Sequence, residues 1–428
     1  MSRITKNEYL RLKGQIMQWV EEDGVRMAEF CSALVKCKSM DPPGDTCEVM
    51  RLVENFMADE RLPYEIMAVN ETMPNLISSI NFAENGRHIM FNGHLDTLPA
   101  GDEPGWTDDP WSGRISDGQI CGRGSADMKG GVTAMLFAYS YLARLKEHLS
   151  GKVSLTLVSD EETGEGRGTG YLFESIPDRM LADCVLSAKP SGIGAVSFAS
   201  KGYLQYAVSV ATPGAIGGYC NDSRSAIRIA ADIMRDLDEL GNMEISLPEE
   251  MTAMLGDTEW VRRHELLRGT GHAGLIGKIT TDISTVSGGI LPGLIAPDCT
   301  FSATTVIPVG MEAEMVVRNL TEIVSRYPEA SLDILGVDKA DWCLPSTIYS
   351  RTLRAVAQEL SGLSPEMTPD IAISDLRYWR YRGIPAYWYG PDSTKCGAGD
   401  ESVSIDEILH VAATYALTVI RLMEDMDY

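Results

Sequence analysis

The sequence predicts an α/β protein: a mostly parallel sheet with helices on both faces, interrupted by an inserted α+β domain. Three observations predict it. Short apolar strands alternate with helical segments between residues 77 and 187, which is the pattern of a sheet buried on both sides. After residue 200 the strands alternate polar and apolar positions and the helices become amphipathic, as around an antiparallel sheet with one face exposed. From residue 337 the first pattern returns. A chain of 428 residues is too long for one ordinary core. It divides into an α/β domain (1–200 with 337–428) and an insert (201–336).

Taken in order, apolar positions at helical spacing (Tyr9, Leu10, Leu12, Ile16, Met17, Val20) predict one or two helices over 6–37. A further helix is predicted over 45–59, with Asp45 or Thr46 as N-cap. Ile77–Phe82 and His88–Asn92 read as strands, Val132–Leu145 as a helix, Val153–Ser159 as a strand, Gly168–Ile176 as a helix and Cys184–Ser187 as a strand. In the insert, Tyr203–Ala211, Thr280–Ser287, Asp298–Val306 and Ser331–Leu335 read as strands. Ser223–Leu240 and Met311–Tyr327 read as helices, and 241–275 as irregular. The last segment reads as a helix (Ser350–Leu360), a strand (Ala386–Tyr389) and a final helix (Ile405–Met423). There are no internal repeats and no low-complexity linker.

Composition narrows the function. The net charge is −24, from 37 basic and 61 acidic residues. Nucleic-acid phosphates and anionic membrane surfaces both require a basic footprint, so neither is an expected partner. No apolar run approaches twenty residues, and no membrane span is expected. The first residues lack a basic-then-apolar leader. The nine cysteines form no CxxC pair and read as thiols of a reducing cytoplasm.

The chemistry concentrates in three places. Residues 93–97 read Gly-His-Leu-Asp-Thr, Asp127 lies in Gly-Arg-Gly-Ser-Ala-Asp-Met-Lys-Gly-Gly, and Asp160-Glu161-Glu162 follows a predicted strand. In a parallel sheet, functional residues collect past the carboxyl ends of the strands. A neutral imidazole with several carboxylates suits zinc or a similar divalent ion. Asp96, two residues after His94, is spaced to accept a hydrogen bond from the imidazole's other nitrogen and so fix its tautomer. Adjacent glutamates cannot both be buried without a cation or proton to neutralise them. One can hold the metal while the other handles protons; the other reading is a solvated charged turn. The glycine-rich run lacks the lysine–hydroxyl ending of a phosphate cradle.

These motifs resemble the zinc-dependent deacylase and exopeptidase family that includes acetylornithine deacetylase, succinyl-diaminopimelate desuccinylase and glutamate carboxypeptidase. The likeness runs through Gly93–Thr97, Gly122–Gly131, Asp160–Gly164, Lys201-Gly202, Ser374–Arg377, Gly383-Ile384-Pro385 and Gly390-Pro391. It implies two zinc ions sharing a bridging aspartate and a glutamate that activates water to attack an amide. Position by position, it makes His94 a ligand, Asp96 its orienter, Asp127 the bridge, Glu161 the general base and Glu162 a ligand. It makes residues 201–336 a lid and the contact of a homodimer. The implied substrate is an N-acyl amino acid or a small peptide.

The sequence departs from that pattern at five positions. Lys189 stands where the resemblance expects an acidic ligand, and Gly397 where it expects the last histidine ligand. Ile216, Leu294 and Val306 stand where it expects a histidine, an asparagine and an arginine of the lid, so any substrate differs from the usual one. Cys396 and Asp400 are candidate replacement ligands, and His264 or His272 a candidate replacement for the lid histidine. Lys189 admits three readings: an ammonium displacing an ion through a buried salt bridge, a side chain pointing to solvent, or a base or nucleophile of lowered pKa. Two functions follow. One is a metal-dependent hydrolase of amide bonds with an atypical metal site. The other is a rewired or non-catalytic member in which Lys189 replaces a metal and the site, holding one zinc or none, binds a small ligand or partner.

Overall fold

The computed structural model describes residues 6–101, 105–219, 221, 223–392 and 394–423. The chain forms two compact units: Met1–Phe198 with Cys343–Thr368 and Ser374–Tyr428, and Ala199–Trp342 with Pro369–Ile373.

The first unit is built on a sheet whose centre is parallel. Strand Ala83–His94 lies between Ser150–Val158 and Cys184–Ser187, and Ala386–Trp388 adds beyond the latter, all four running the same way. Antiparallel strands flank this centre: Pro74–Asn81 and Glu65–Ala68 on one side, Ala195–Ser200 on the other. Because side chains alternate along a strand, neighbouring residues serve opposite faces. Phe91 packs on Tyr415 of helix Ile405–Met423, with ring centroids 5.2 Å apart. Met90 joins a cluster with Val158, Val185, Trp379 and Trp388 on the other face. Helix Gly130–Arg144 is buried on every side from Gly130 to Leu142, which its almost uninterrupted apolar sequence permits.

The shared strand direction positions the site. His94 ends one central strand, Asp160–Glu162 follow the next, Lys189 follows the third and Gly390 the fourth. Four separate stretches of chain are thereby delivered to one edge of the sheet.

The second unit carries the sheet Thr280–Gly288, Asp298–Ile307, Gly202–Ala211, Ala330–Asp338, in that order and antiparallel throughout. Helices Ala226–Asp236 and Ala313–Ser325 bury Ile229, Ile233, Val316 and Leu320 against Tyr206, Val208 and Phe301. The segment 241–275, expected to be irregular, instead contains Glu249–Gly256, Thr258–Arg268 and Ala273–Ile276. These helices are short, of 8, 11 and 4 residues, so their period is weak. The second is started by Asp257, whose side chain accepts the backbone N–H groups of Glu259 and Trp260, an N-cap that supplies what periodicity does not. The helix expected over 223–240 is shorter, Ala226–Asp236, and tightens into a 3₁₀ turn over Leu237–Asn242. No helix among the described residues is long and apolar enough to cross a membrane.

One close approach holds Lys189 in place. A Cβ added at Gly131 would lie 2.0 Å from the carbonyl oxygen of Ala188, and one at Gly390 2.4 Å from the carbonyl oxygens of Ala188 and Lys189. Only glycine lets the buried helix and the 390 turn pack directly on this backbone. Gly131→Ala should therefore lower stability by about 1–3 kcal/mol, the usual cost of overpacking. Gly14→Ala, in a helix with open space around the added methyl, should raise it by about 0.5–1 kcal/mol. Thermal melts of the two variants check this; an unchanged melt for Gly131→Ala would show that the 188–189 turn can retreat.

Candidate metal centre

The imidazole of His94 is buried at the end of its strand. Its Nδ1 lies 3.0 Å from the backbone carbonyl of Asp96 and 3.5 Å from Asp96 Oδ1. Both are acceptors, so Nδ1 carries the proton and Nε2 faces the acidic cluster. The orienting contact is thus made mainly by the Asp96 backbone, not by the carboxylate that the spacing suggested. Asp96 Oδ2 instead accepts the backbone N–H groups of Glu161 and Glu162, both at 2.9 Å. Asp96 ties the turn after one strand to the turn after its neighbour.

Around Nε2 lie Asp127 Oδ1 at 3.1 Å and Glu161 Oε2 at 3.6 Å. Ligand atoms of His94, Glu161 and Glu162 all come within 4.8 Å of one another. Two ligands of a tetrahedral zinc lie roughly 3.3 Å apart, so this group suits a single ion after small side-chain rotations. Asp127 sits at the glycine-rich turn, where Gly124 adopts a positive φ of 78° beside Thr97. Its backbone N–H and that of Ala126 donate to Glu401 Oε1, at 3.2 and 3.0 Å, while Glu401 Oε2 pairs with Arg123 at 2.6 Å.

Lys189 neither points to solvent nor has a lowered pKa. Its ammonium is buried, 2.8 Å from Glu161 Oε1, 3.5 Å from Asp127 Oδ1 and 3.5 Å from His94 Nε2. Burial opposes the charge, but Asp127, Glu161 and Glu162 outweigh it and hold the group well above its ordinary value. Glu162 shows the converse: burial, then Asp127, push it well up, and Lys189 and His94 only partly offset them. Burial lowers His94 while Glu161, Asp127 and Asp96 outweigh it, so the imidazole of the metal-free chain holds a second proton.

The two proposed replacement ligands are not brought in. Asp400 is exposed with φ 52°, and its carboxylate is taken up by the backbone N–H and hydroxyl of Thr107, each at 2.7 Å. Its neighbour Glu401 turns inward instead. Cys396 is half-buried and is not part of the group within mutual ligand distance. Burial and the nearby Asp127 and Glu401 push its thiol up in the metal-free chain. His264 and His272 lie in the second unit and bond to each other, Nε2 to Nδ1 at 2.9 Å, with His264 stacked on Trp260. Ile216 and Leu294 face each other across a two-residue ladder, both side chains exposed.

Sequence reasoning missed several supporting residues. Glu401 and Arg123 hold the Asp127 turn. Asp375, buried, accepts from Thr169 at 2.7 Å, and Thr169 in turn accepts from Asn92 at 3.3 Å. Lys129, fully buried, donates to the carbonyl of Cys37 at 2.8 Å, and burial draws it down to about 8. The available signal was charged or polar side chains inside otherwise apolar or glycine-rich stretches.

With this geometry in place, comparison with known proteins defines the class. Residues 90–421 match the family described as Peptidase family M20/M25/M40. The chain belongs to that family. Over 400 residues it is 26% identical to the succinyl-diaminopimelate desuccinylase of Rhodospirillum centenum, covering 91% of this chain and 95% of the relative. Among solved structures, the M20 family metallo-carboxypeptidase Sso-CP2 of Sulfolobus solfataricus superimposes with a TM-score of 0.79 at 16% identity, covering 94% of this chain and 99% of that one. The di-peptidase Dug1p of Saccharomyces cerevisiae gives 0.79 at 12% identity, covering 97% and 99%. A Bacillus subtilis structure described as a dinuclear metal-binding M20 peptidase gives 0.64 at 14% identity, covering 95% of this chain and all of that one (100%).

The site also carries a pH dependence. Burial alone would raise the Asp96 carboxyl, but the His94 imidazole and the two N–H donors outweigh it and hold it below its ordinary value of 3.8. Its ionised form therefore contributes stability above that value, and the contribution is lost as pH falls through the lower, folded value. In the chelator-treated chain, wild type should lose stability steeply below pH 3.8, and Asp96→Ala should show a shallower loss from a lower starting point. Urea midpoints measured from pH 3 to 6 check this; parallel curves would remove Asp96 from the account.

Proposed function

We propose that the chain is a metal-dependent hydrolase of amide bonds in N-acyl amino acids or small peptides, with zinc as its metal. The observation that carries this reading is the convergence of His94, Asp127, Glu161 and Glu162 at one sheet edge, with a tautomer that turns the His94 Nε2 lone pair toward the acids once the second proton leaves. Membership of a peptidase family and relatives named desuccinylase, carboxypeptidase and di-peptidase support it. The donor set, one imidazole with carboxylates, suits zinc.

In this reading His94 Nε2, Asp127 and Glu162 hold the metal. A bound divalent ion supplies Lewis acidity and lowers the pKa of water. The other roles fall to the chain's own residues. Glu161 takes a proton, with Oε1 fixed by Lys189 and its backbone N–H fixed by Asp96. Asp96 keeps the His94 proton on Nδ1. Arg123 and Glu401 hold the Asp127 turn against the helix that follows. Val306, at the position where the resemblance expects an arginine, supports a substrate other than the usual one.

A specific observation favours a second reading. The Lys189–Glu161 ion pair engages the one carboxylate placed to act as base, as in a rewired member that binds a small ligand without turning it over. Hydrolysis of a panel of N-acyl amino acids and dipeptides by zinc-loaded wild type and Glu161→Gln decides between them. The hydrolase reading expects turnover by wild type and a loss of about 10²–10⁴-fold in the variant, with an unchanged melt. Equal turnover by both would remove Glu161 from the mechanism. No turnover by either, with ligand-dependent melting shifts retained, supports the second reading.

Residues 201–336 are also proposed as a homodimer contact, and the cytoplasm as the location. Exposed Val286, Leu335 and Val337 on the two edge strands of the insert's sheet support the contact, since apolar edges invite pairing. Light scattering should give twice the chain mass of 46.8 kDa, falling to the monomer mass in the double variant Val286→Lys, Val337→Lys. A monomeric wild type would overturn it.

A further inference from the structure

Among the described residues, Asp127, Glu161 and Glu162 have Lys189 as their one permanent cation, while Asp127 and Glu161 also lie against the titratable His94 imidazole. Glu401 is paired with Arg123, Asp375 with Arg377 at 3.6 Å, and Asp96 Oδ2 accepts two backbone N–H groups while its Oδ1 lies 3.5 Å from the His94 imidazole. Against the three stands one ammonium, that of Lys189. With His94 neutral, two negative charges remain. A single divalent cation brings the cluster to neutrality, and two would leave it with two positive charges in a site largely closed to water, which is costly.

Donor count leads to the same number. An ion held by His94, Asp127 and Glu162, as proposed above, has an imidazole and two carboxylates, with Asp127 Oδ1 3.1 Å from His94 Nε2. A second ion beside Asp127 would need donors from the 189 and 396–397 positions. There it meets an ammonium with no lone pair, a cysteine outside the group within mutual ligand distance, and a glycine. The ammonium also lies within 3.5 Å of His94 Nε2 and Asp127 Oδ1 and 2.8 Å of Glu161, the space a cation shared by those three groups would fill.

We propose that the centre takes one divalent cation, and that the Lys189 ammonium is a built-in second cation occupying the position between His94, Asp127 and Glu161. This rests on the metal-dependent reading above and departs from the two-ion site that the family resemblance implies. An ammonium balances charge and donates hydrogen bonds but accepts no electron pair. It can hold Glu161 and Asp127 in place and attract an anionic group, and it cannot polarise a carbonyl as a second metal would.

The test is a count of ions. The full chain is stripped with chelator, titrated with zinc, and its stoichiometry read by calorimetry and by elemental analysis after dialysis. Wild type is expected to bind one zinc per chain. Lys189→Glu, which replaces the ammonium with a donor, is expected to bind two, and Lys189→Met separates removal of charge from supply of a ligand. A second ion gained in either variant supports the proposal. One ion in the wild type and both variants overturns the role given to Lys189. Two ions in the wild type overturn the proposal alone and leave the hydrolase reading standing; none overturns both. If neither variant folds, the wild-type count decides.

Discussion

Compensation of buried negative charge is the constraint around which the first unit is arranged. A carboxylate removed from water without a partner is far more costly than any single packing contact can offset. The protein meets that demand in graded ways at one sheet edge. Glu401 receives a guanidinium and two backbone N–H groups, and Asp96 receives two N–H groups and an imidazole. Asp127 and Glu161 share the Lys189 ammonium and the His94 imidazole, and Glu162 lies beside them. Losing one partner of a buried pair typically costs about 3–5 kcal/mol, so the order of this edge depends on what stands between the acids. Glu401 is hydrogen-bonded on both oxygens, whereas Asp96 is hydrogen-bonded on Oδ2 alone.

That cluster is held in place by elements that cannot easily relax. Parallel strands fix where their carboxyl ends lie, and the residues that follow inherit the position. Glycine supplies the approach: helix Gly130–Arg144 and the 390 turn press directly against the backbone that carries Lys189. Asp96 then bonds the 161–162 turn to the end of the neighbouring strand. The acids cannot separate without breaking sheet register or a buried polar contact, and the cluster stays poised for a cation instead of dispersing into solvent.

The sequence made the fold class and most of the cluster legible, because both are carried by local signals. Strand–helix alternation is visible in apolar runs, and His94, Asp127, Glu161 and Glu162 sit in motifs whose glycine spacing is itself informative. What stayed hidden depends on long-range contact. Asp400 and Glu401 are adjacent and chemically alike, yet a positive φ at Asp400 sends its carboxylate to Thr107 while Glu401 reaches across to Arg123. Nothing in two neighbouring acidic letters distinguishes the fates. The helices between 249 and 276 escaped for a different reason: each is three turns or fewer, too short for periodicity to rise above chance. Lys189 was legible as an anomaly, a cation at a position expected to be acidic, but its burial and its three partners are properties of the packed sheet edge.

The same fold can therefore carry a different electrostatic arrangement without losing its architecture. Family membership is decided by strand order, turn glycines and most of the acids, all of which tolerate a change at one strand end. Chemistry is decided by what occupies the space those acids enclose, and there the Lys189 ammonium stands as a fixed point charge. The acids still converge, the imidazole still presents Nε2, and the site still demands positive charge. Part of that demand is met by the chain itself, through the Lys189 ammonium. Folds constrain where reactive groups meet more tightly than they constrain what the groups do, and residue 189 is the point in this protein where the two separate.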